Sequence, residues 1–340
     1  MVDYGEQSPG RTLHASPAVV AINWLWPPQR PRKANSLNTA RVLVGGRELS
    51  LSNMEKVLYP AAGFTKGEMI QYYSQVAPAL LPHVRSRPMT LKRYPNGVDA
   101  PFFYEKQCPS HAPSWVHSVP VRSHSEGRII DYCMVDDEAT VVWLANLASL
   151  ELHVSLGLAH ALESPTSVVF DLDPGAPADV ILCCKVALAI RHVLDHLGLK
   201  SVAKTSGNKG MQVYVPLNRP ATYEHTKAFA LAIARLLERQ TPGEVVSRMA
   251  KEVRRGKVFI DWSQNDEHKT TVSVYSLRAR ERPTVSAPLT WDEVERAAVT
   301  GDPSVVVFEA SQVIERIQRL GDLFAPMATL AQELPALDAS

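Results

Sequence analysis

The sequence predicts a mixed α+β fold, an α/β core in which a mixed sheet is flanked by helices. Three observations point there. A β-branched apolar run, Val168-Val169-Phe170, ends in Asp171-Leu172-Asp173-Pro174. Thr65/Glu68 and Thr290/Glu293 have capping-box spacing and mark helix starts. The Gly-rich turn Ser206-Gly207-Asn208-Lys209-Gly210 lies between two short apolar runs that read as paired strands.

In chain order, residues 1–38 are rich in Pro, Ser, Arg and Asn around an apolar island at 18–26, and are expected to form a loosely structured arm. The island lacks the charged flank and small-residue cleavage site of a signal peptide. Residues 39–324 are expected to form one domain and 325–340 a tail. Residues 41–51 read as a hairpin around Gly45-Gly46. A helix opens at Thr65 and carries Met69, Ile70, Tyr73 and Val76 on one face. Residues 88–93 and 102–105 read as short strands, and 140–151 as an apolar helix. After the Asp171 strand comes a helix over 179–197 that stops at Gly198. Strands 201–205 and 211–215 flank the Gly-rich turn, and 222–240 is helical. Residues 257–260 form a strand ending in Asp261, 271–278 a further strand, and Thr290 opens a short helix. There is no internal repeat.

Composition narrows the function classes. A net charge of +1 confines any nucleic-acid footprint to a local patch. The four cysteines, Cys108, Cys133, Cys183 and Cys184, form no CxxC pair, so neither a disulfide framework nor a zinc site is expected, and a reducing cytoplasm fits. No apolar run is long enough to span a membrane.

The chemistry concentrates at strand ends. Asp171 and Asp173, two apart in a strand, project to the same face. Paired carboxylates repel unless a cation lies between them, and hard divalent ions take such oxygen ligands. The plain alternative is a strand running into an Asp-Pro-Gly turn. Asp261 ends a second strand and offers a third carboxylate, although a lone strand-end Asp is usually a cap. In the Gly-rich turn, glycines free backbone N–H groups for an anion and Lys209 adds charge, but the spacing is not that of a Walker A loop. Arg278, Arg280 and Arg282 share one face if their strand continues, which suits phosphate oxygens or, equally, a solvated edge. Lys56, Lys66, Lys92 and Arg93, with Phe102, Phe103 and Tyr104, interleave cations and aromatics as nucleic-acid sites do. The plain alternatives are solvated lysines and a core position for Phe102 or Phe103. His153 taken alone reads as a packing residue.

Taken together, these segments resemble the polymerase domain of bacterial ligase D, within the archaeo-eukaryotic primase superfamily. The resemblance runs from about residue 42 to residue 291, with the motifs in order: Asn53-Met54-Glu55-Lys56-Val57-Leu58-Tyr59-Pro60, Thr65-Lys66, Arg87-Pro88-Met89-Thr90-Leu91-Lys92-Arg93, Leu150-Glu151-Leu152-His153, Phe170-Asp171-Leu172-Asp173-Pro174, Ser206-Gly207-Asn208-Lys209-Gly210, Asp261-Trp262-Ser263-Gln264-Asn265 and Tyr275-Ser276-Leu277-Arg278. It implies a primase-polymerase core and a template-directed nucleotidyltransferase with two Mn²⁺ or Mg²⁺ ions on Asp171, Asp173 and Asp261. It implies nucleotide contacts at His153, Ser206, Lys209, Gly210, Gln264, Lys269 and Arg278. Lys56 and Lys66 would hold a downstream 5′-phosphate, joined by backbone N–H groups of the helix start, and Lys92, Arg93, Phe103 and Tyr104 would touch template and primer. The implied partners are gapped or broken duplex DNA, nucleoside triphosphates with a ribose preference, and a separate ligase or end-binding protein in the bacterial cytoplasm, at the nucleoid. The family commonly has His where this chain has Gln212. With no ligase or nuclease segment in view, a stand-alone member that fills short gaps in repair, or serves end joining, is expected. The rival readings are a haloacid-dehalogenase-type phosphatase, disfavoured by Pro174 after the second Asp, and a non-catalytic DNA-end-binding module, disfavoured by the intact Asp set.

Overall fold

The computed structural model describes residues 39–123 and 127–335. The arm expected over 1–38 lies outside the described residues. Two sheets organise the rest. The larger has six strands in the order Val245–Val246, Val258–Asp261, Ser167–Pro174, Met211–Pro216, Val202–Thr205 and Pro288–Leu289. All its pairings are antiparallel except the first, which is parallel. The smaller has Thr270–Val272, Ser149–Ser155, Met89–Arg93 and Phe103–Glu105, all antiparallel.

The period of two along Ser167–Pro174 explains the layering. Val168, Phe170 and Leu172 are fully buried in one apolar core, against helices α3 (Val180–His196) and α4 (Tyr223–Gln240). Val169 points the other way, into a second core shared with the smaller sheet and helices α1 (Lys66–Val84) and α2 (Glu138–Asn146). The next odd positions are Asp171 and Asp173, where that second core gives way to a cavity. Burying Phe170 contributes about 2–3 kcal/mol, so the helix-covered face holds the strand in register.

Helix α1 starts as its sequence dictates. The Thr65 Oγ1 accepts from the Glu68 N–H at 3.2 Å, the Thr65 N–H donates to Glu68 Oε2 at 2.6 Å, and Met69, Ile70, Tyr73 and Val76 are buried. The second capping box, Thr290 with Glu293, opens α5 (Trp291–Thr300). Helix α6 (Ala310–Leu320) packs against α1.

Three expectations are corrected, and the tail expected over 325–340 is described as far as residue 335. The helix expected over 140–151 ends at Asn146, and Ser149–Ser155 is a strand, because Leu150, Leu152 and Val154 alternate with Glu151 and His153. The strand expected over 271–278 stops at Val272, and the chain turns through Tyr275 at φ +62°. Residues 325–335 run onto the body: α7 (Pro326–Thr329) is followed by Gln332, which donates to the Lys200 and Pro216 carbonyls, and by the buried Leu334. Finally, Cys108 and Cys133 form a disulfide with a Cα separation of 4.8 Å, where none was expected. Cys133 closes the hairpin Ser118–Ser123/Arg128–Cys133, and the Cys108 N–H donates to the Asp131 carbonyl beside it. That tertiary meeting leaves no local spacing to read. Cys183 and Cys184 remain free and buried in α3. Among the described residues, no helix is long and apolar enough to cross a membrane.

The disulfide closes a loop of sequence separation 25, which by loop-closure entropy stabilises by about 3 kcal/mol. Alkylation under denaturing, non-reducing conditions should modify two cysteines, Cys183 and Cys184, and all four after reduction. Reduced protein should melt lower. Four alkylated cysteines without reductant would show the bond absent.

Candidate active site

Strand register assembles the site. Asp171 pairs with Asp261 on one neighbouring strand and with Gln212 on the other, and Gln212 pairs with Lys204 beyond. A polar row, Asp261–Asp171–Gln212–Lys204, therefore crosses four adjacent strands on one face. Residues directly opposite in an antiparallel pair bring their Cβ atoms to about 5 Å. Burial, the neighbouring Asp261 charge and that of Asp173 push the Asp171 carboxyl up to about 6, against a hydrogen bond from Gln212 and the Lys204 charge. Tyr214 Oη donates to Gln212 Oε1 at 3.1 Å, leaving the Gln212 amide group to face Asp171. Lys204 is fully buried, with Nζ on the Val272 carbonyl and Ser286 Oγ, and burial draws its pKa down to about 7.

The other carboxylates have protein partners. Asp261 caps the turn Trp262–Gln264: its Oδ1 accepts from the Ser263 N–H and hydroxyl, and its Oδ2 from Gln264 Nε2 at 3.3 Å. Asp173 faces Lys209 Nζ at 3.1 Å and Arg254 at 3.6 Å. Among the described residues, no three His, Cys, Asp or Glu side chains are gathered into a ready-made metal site. The donor set, three carboxylates on one face with the pKa of one raised by burial and by its like neighbours, fits a hard divalent cation.

These residues line a cavity of about 310 Å³ together with His153, Ser206, Lys209, Gly210, Gln264 and Arg278. Two buried atoms on its wall, Gln264 Oε1 and Arg278 Nε, have no hydrogen-bond partner in the protein. Gly210 packs so closely that a Cβ would lie 2.1 Å from the Leu172 carbonyl oxygen. Gly207 adopts φ +67°, and a Cβ there would meet the Val285 backbone at 2.5 Å. The loop differs from the open cradle expected: the N–H groups of Asn208 and Gly210 point at Ser206 Oγ, and that of Gly207 at Thr205 Oγ1. Ser206 and Lys209 side chains, more than loop amides, are what it offers an anion. Lys269 lies behind the cavity and meets Asp261 only through Ser263 Oγ, to which it donates at 2.6 Å.

Arg278 is the one arginine of its series on the cavity, because the strand ends early. Arg280 is exposed and Arg282 pairs with Glu309. Arg278 donates to the Ser206 carbonyl at 2.6 Å. Behind it sits Glu151, a residue that sequence analysis did not single out. Burial alone would raise this carboxyl, but the His153 hydrogen bond, the Arg278 and His153 charges and the Ala279 N–H hold it at about 2. The pattern Leu150-Glu151-Leu152-His153 carried the signal: in a strand, Glu151 and His153 share a face. Lys204 and Arg254 were also missed, each a lone cation in or beside a strand.

Lys92 lies 3.7 Å from Glu151 and 4.1 Å from the Phe102 ring centre, with Tyr94 and Tyr104 also near. Phe102, Phe103 and Tyr104 are about half exposed, so neither phenylalanine is core. Arg93 is braced by Glu105 and the Leu147 carbonyl and lies over Phe103.

Lys56 is exposed and bonded to Asn96 Oδ1. Lys66 is 5% exposed, not a solvated lysine, and its Nζ donates to the Ser52 carbonyl at 2.6 Å. Burial, then the Lys56 and Arg93 charges, lower its pKa to about 8. The first helical amides do not join it: Lys66, Gly67 and Glu68 N–H groups are taken by Lys56 O, Met54 O and Thr65 Oγ1.

A mixed-sheet core with strand-end carboxylates facing a lysine and an arginine across one cavity is the architecture of a primase-polymerase domain. Residues 65–324 match the family model of the LigD primase-polymerase domain, and the chain belongs to that family. It is 41% identical over 279 residues to the multifunctional non-homologous end joining protein LigD of Mycolicibacterium smegmatis, covering 82% of this chain and 36% of that one. It is 32% identical over 289 residues to the bifunctional LigD of Bacillus subtilis, covering 85% and 45%. The chain thus spans between a third and a half of these relatives. The polymerase domain of Mycobacterium tuberculosis ligase D in complex with DNA superposes with a TM-score of 0.77 at 39% identity, covering 84% of this chain and 99% of that one.

Glu151 has a folded-state pKa below its unfolded value, so its contribution to stability is complete above about pH 5 and is lost as pH falls toward 2. The contribution is about 3 kcal/mol. Denaturant unfolding from pH 7 to 2 should show the gap between wild type and Glu151→Gln closing over that window. A gap that stays constant with pH would contradict it.

Proposed function

We propose that this protein is a template-directed nucleotidyltransferase, a primase-polymerase that fills short gaps during DNA repair, recognises a downstream 5′-phosphate and favours ribonucleotides. The observation that carries the reading is the cavity itself. Asp171, Asp173 and Asp261 share one face, Lys209 and Arg278 stand around them, and Gln264 Oε1 and Arg278 Nε are buried without a hydrogen bond. The relatives named for end joining, and the ligase D domain solved with DNA, support a DNA partner. The three aspartates would hold two Mn²⁺ or Mg²⁺ ions. When bound, such ions acidify a primer 3′-hydroxyl and neutralise a leaving pyrophosphate.

The chain's own groups bind and orient. Lys209 can exchange its bond with Asp173 for a triphosphate oxygen, since its side chain is more than half exposed. Arg278 adds a forked donor braced on Ser206. Ser206, on the cavity wall, is the candidate partner for a ribose hydroxyl. The exposed Phe102–Tyr104 aromatics, with Lys92 beneath them, form a shelf suited to stacked bases. Lys66, buried on neutral oxygens beside Lys56, is a cation that a terminal phosphate would relieve.

Extension of a gapped duplex with Mn²⁺ or Mg²⁺ tests the reading. Wild type should add ribonucleotides more efficiently than deoxynucleotides. Asp171→Asn and Asp261→Asn should each lose at least about a hundredfold in rate while DNA binding holds. Near-normal extension by the double variant rejects the metal role, a deoxy preference rejects the sugar assignment, and DNA binding without extension by wild type leaves an end-binding module.

Lys56→Ala and Lys66→Ala should weaken binding to gapped DNA with a 5′-phosphate by about tenfold and barely change binding to the 5′-hydroxyl form. Equal losses on both would reduce them to general backbone contacts.

A further inference from the structure

The Glu151 carboxylate is 3% exposed and surrounded by donors from three segments. Oε1 accepts from the Ala279 N–H at 3.1 Å and lies 3.7 Å from Lys92 Nζ. Oε2 meets His153 Nε2 at 3.0 Å and lies 3.5 Å from Arg278 Nε. Because a carboxylate only accepts, His153 carries its proton on Nε2, and the ring is fixed with Nδ1 as its other nitrogen. Arg278 is held between Glu151 and the Ser206 carbonyl of the Gly-rich loop, and Lys92 between Glu151 and the Phe102 ring. A single buried charge therefore touches two residues that line the cavity, His153 and Arg278, and the cation beneath the aromatic shelf.

We propose that Glu151 is a positioning residue for the nucleotide, acting through His153 and Arg278 and registering them against the aromatic shelf through Lys92. The inference rests on the polymerase reading. It makes a prediction whose sign separates orientation from charge. Lys92, Arg278 and Glu151 together carry a net charge of about +1. Glu151→Gln raises that to about +2, which by charge alone would tighten triphosphate binding. If Glu151 works by orientation, the same change loosens it, because the amide keeps only one acceptor oxygen for the Ala279 and His153 N–H groups and removes the charge that holds Arg278.

The experiment is steady-state extension of a gapped duplex with Mn²⁺, varying the ribonucleotide, alongside DNA binding by fluorescence anisotropy and thermal melting. For Glu151→Gln, the nucleotide KM should rise at least about tenfold while DNA affinity stays within about threefold. Glu151→Asp keeps the charge but draws it back by one methylene, and its KM should fall between the two. An unchanged or lower KM in folded Glu151→Gln overturns the proposal, as does a lower melting temperature with no change in KM. If Glu151→Gln does not fold, Glu151→Asp decides: a raised KM supports the proposal and a wild-type KM overturns it. Wild type that neither binds nor incorporates nucleotide overturns the polymerase reading and this inference with it. Active wild type with an indifferent Glu151→Gln overturns this inference alone.

Discussion

The rest of the site depends on one register: Asp171 lies directly opposite Asp261. Like charges facing one another across a strand pair are unfavourable, and nothing in the pair itself would choose that alignment. It is imposed from the other face. Val168, Phe170 and Leu172 are locked against α3 and α4, and a one-residue slip would drive the aspartates into that apolar core. Hydrophobic burial on one side thus maintains an electrostatic conflict on the other. The row softens it with the Gln212 amide and, at its far end, the buried Lys204 ammonium. A glutamine in that place bonds Asp171 without titrating, so the row's hydrogen bonding is independent of a ring's protonation.

The second sheet sets the opposite wall, and tyrosine hydroxyls fasten it. Tyr59 Oη donates to the Arg278 carbonyl, Tyr72 Oη to the Tyr275 carbonyl, and Tyr73 Oη to Leu150 O while accepting from the Leu277 N–H. Tyr275 itself reaches Asp322, which also holds His83 of α1. Segments some two hundred residues apart are joined by these bonds, and the left-handed Tyr275 turn that ends the strand is held by them. Arg278 reaches the cavity because that turn is fixed.

Legibility followed from how local each determinant is. The Asp171/Asp173 pair, both capping boxes, the Gly-rich turn and the Asp261 strand end are set within a few residues, and each was readable. Glu151 was hidden because Val141, Val142, Leu144, Leu150 and Leu152 blur into one apolar stretch, so a helix running into a strand passed for a longer helix. The break at Ala148, with φ +58°, has no glycine to announce it. The arginine series was misread because the turn at Tyr275 is fixed by distant hydroxyls rather than by turn-forming residues. The loop and helix amides were expected to be free, yet serine and threonine hydroxyls a few residues away, and the Lys56 and Met54 carbonyls from across the preceding turn, had claimed them. The Cys108–Cys133 bond, like the Arg254–Asp173 pair, exists only after folding.

That bond also changes what counts as a single molecule. Residues 108–133 become a covalent ring hung from the shelf strand Phe103–Glu105 at one end and leading toward α2 at the other. A peptide bond broken anywhere inside the ring would open it without releasing either half. The nicked protein would keep the tether between its two sides and gain only the mass of one water, and its two pieces would come apart only after reduction.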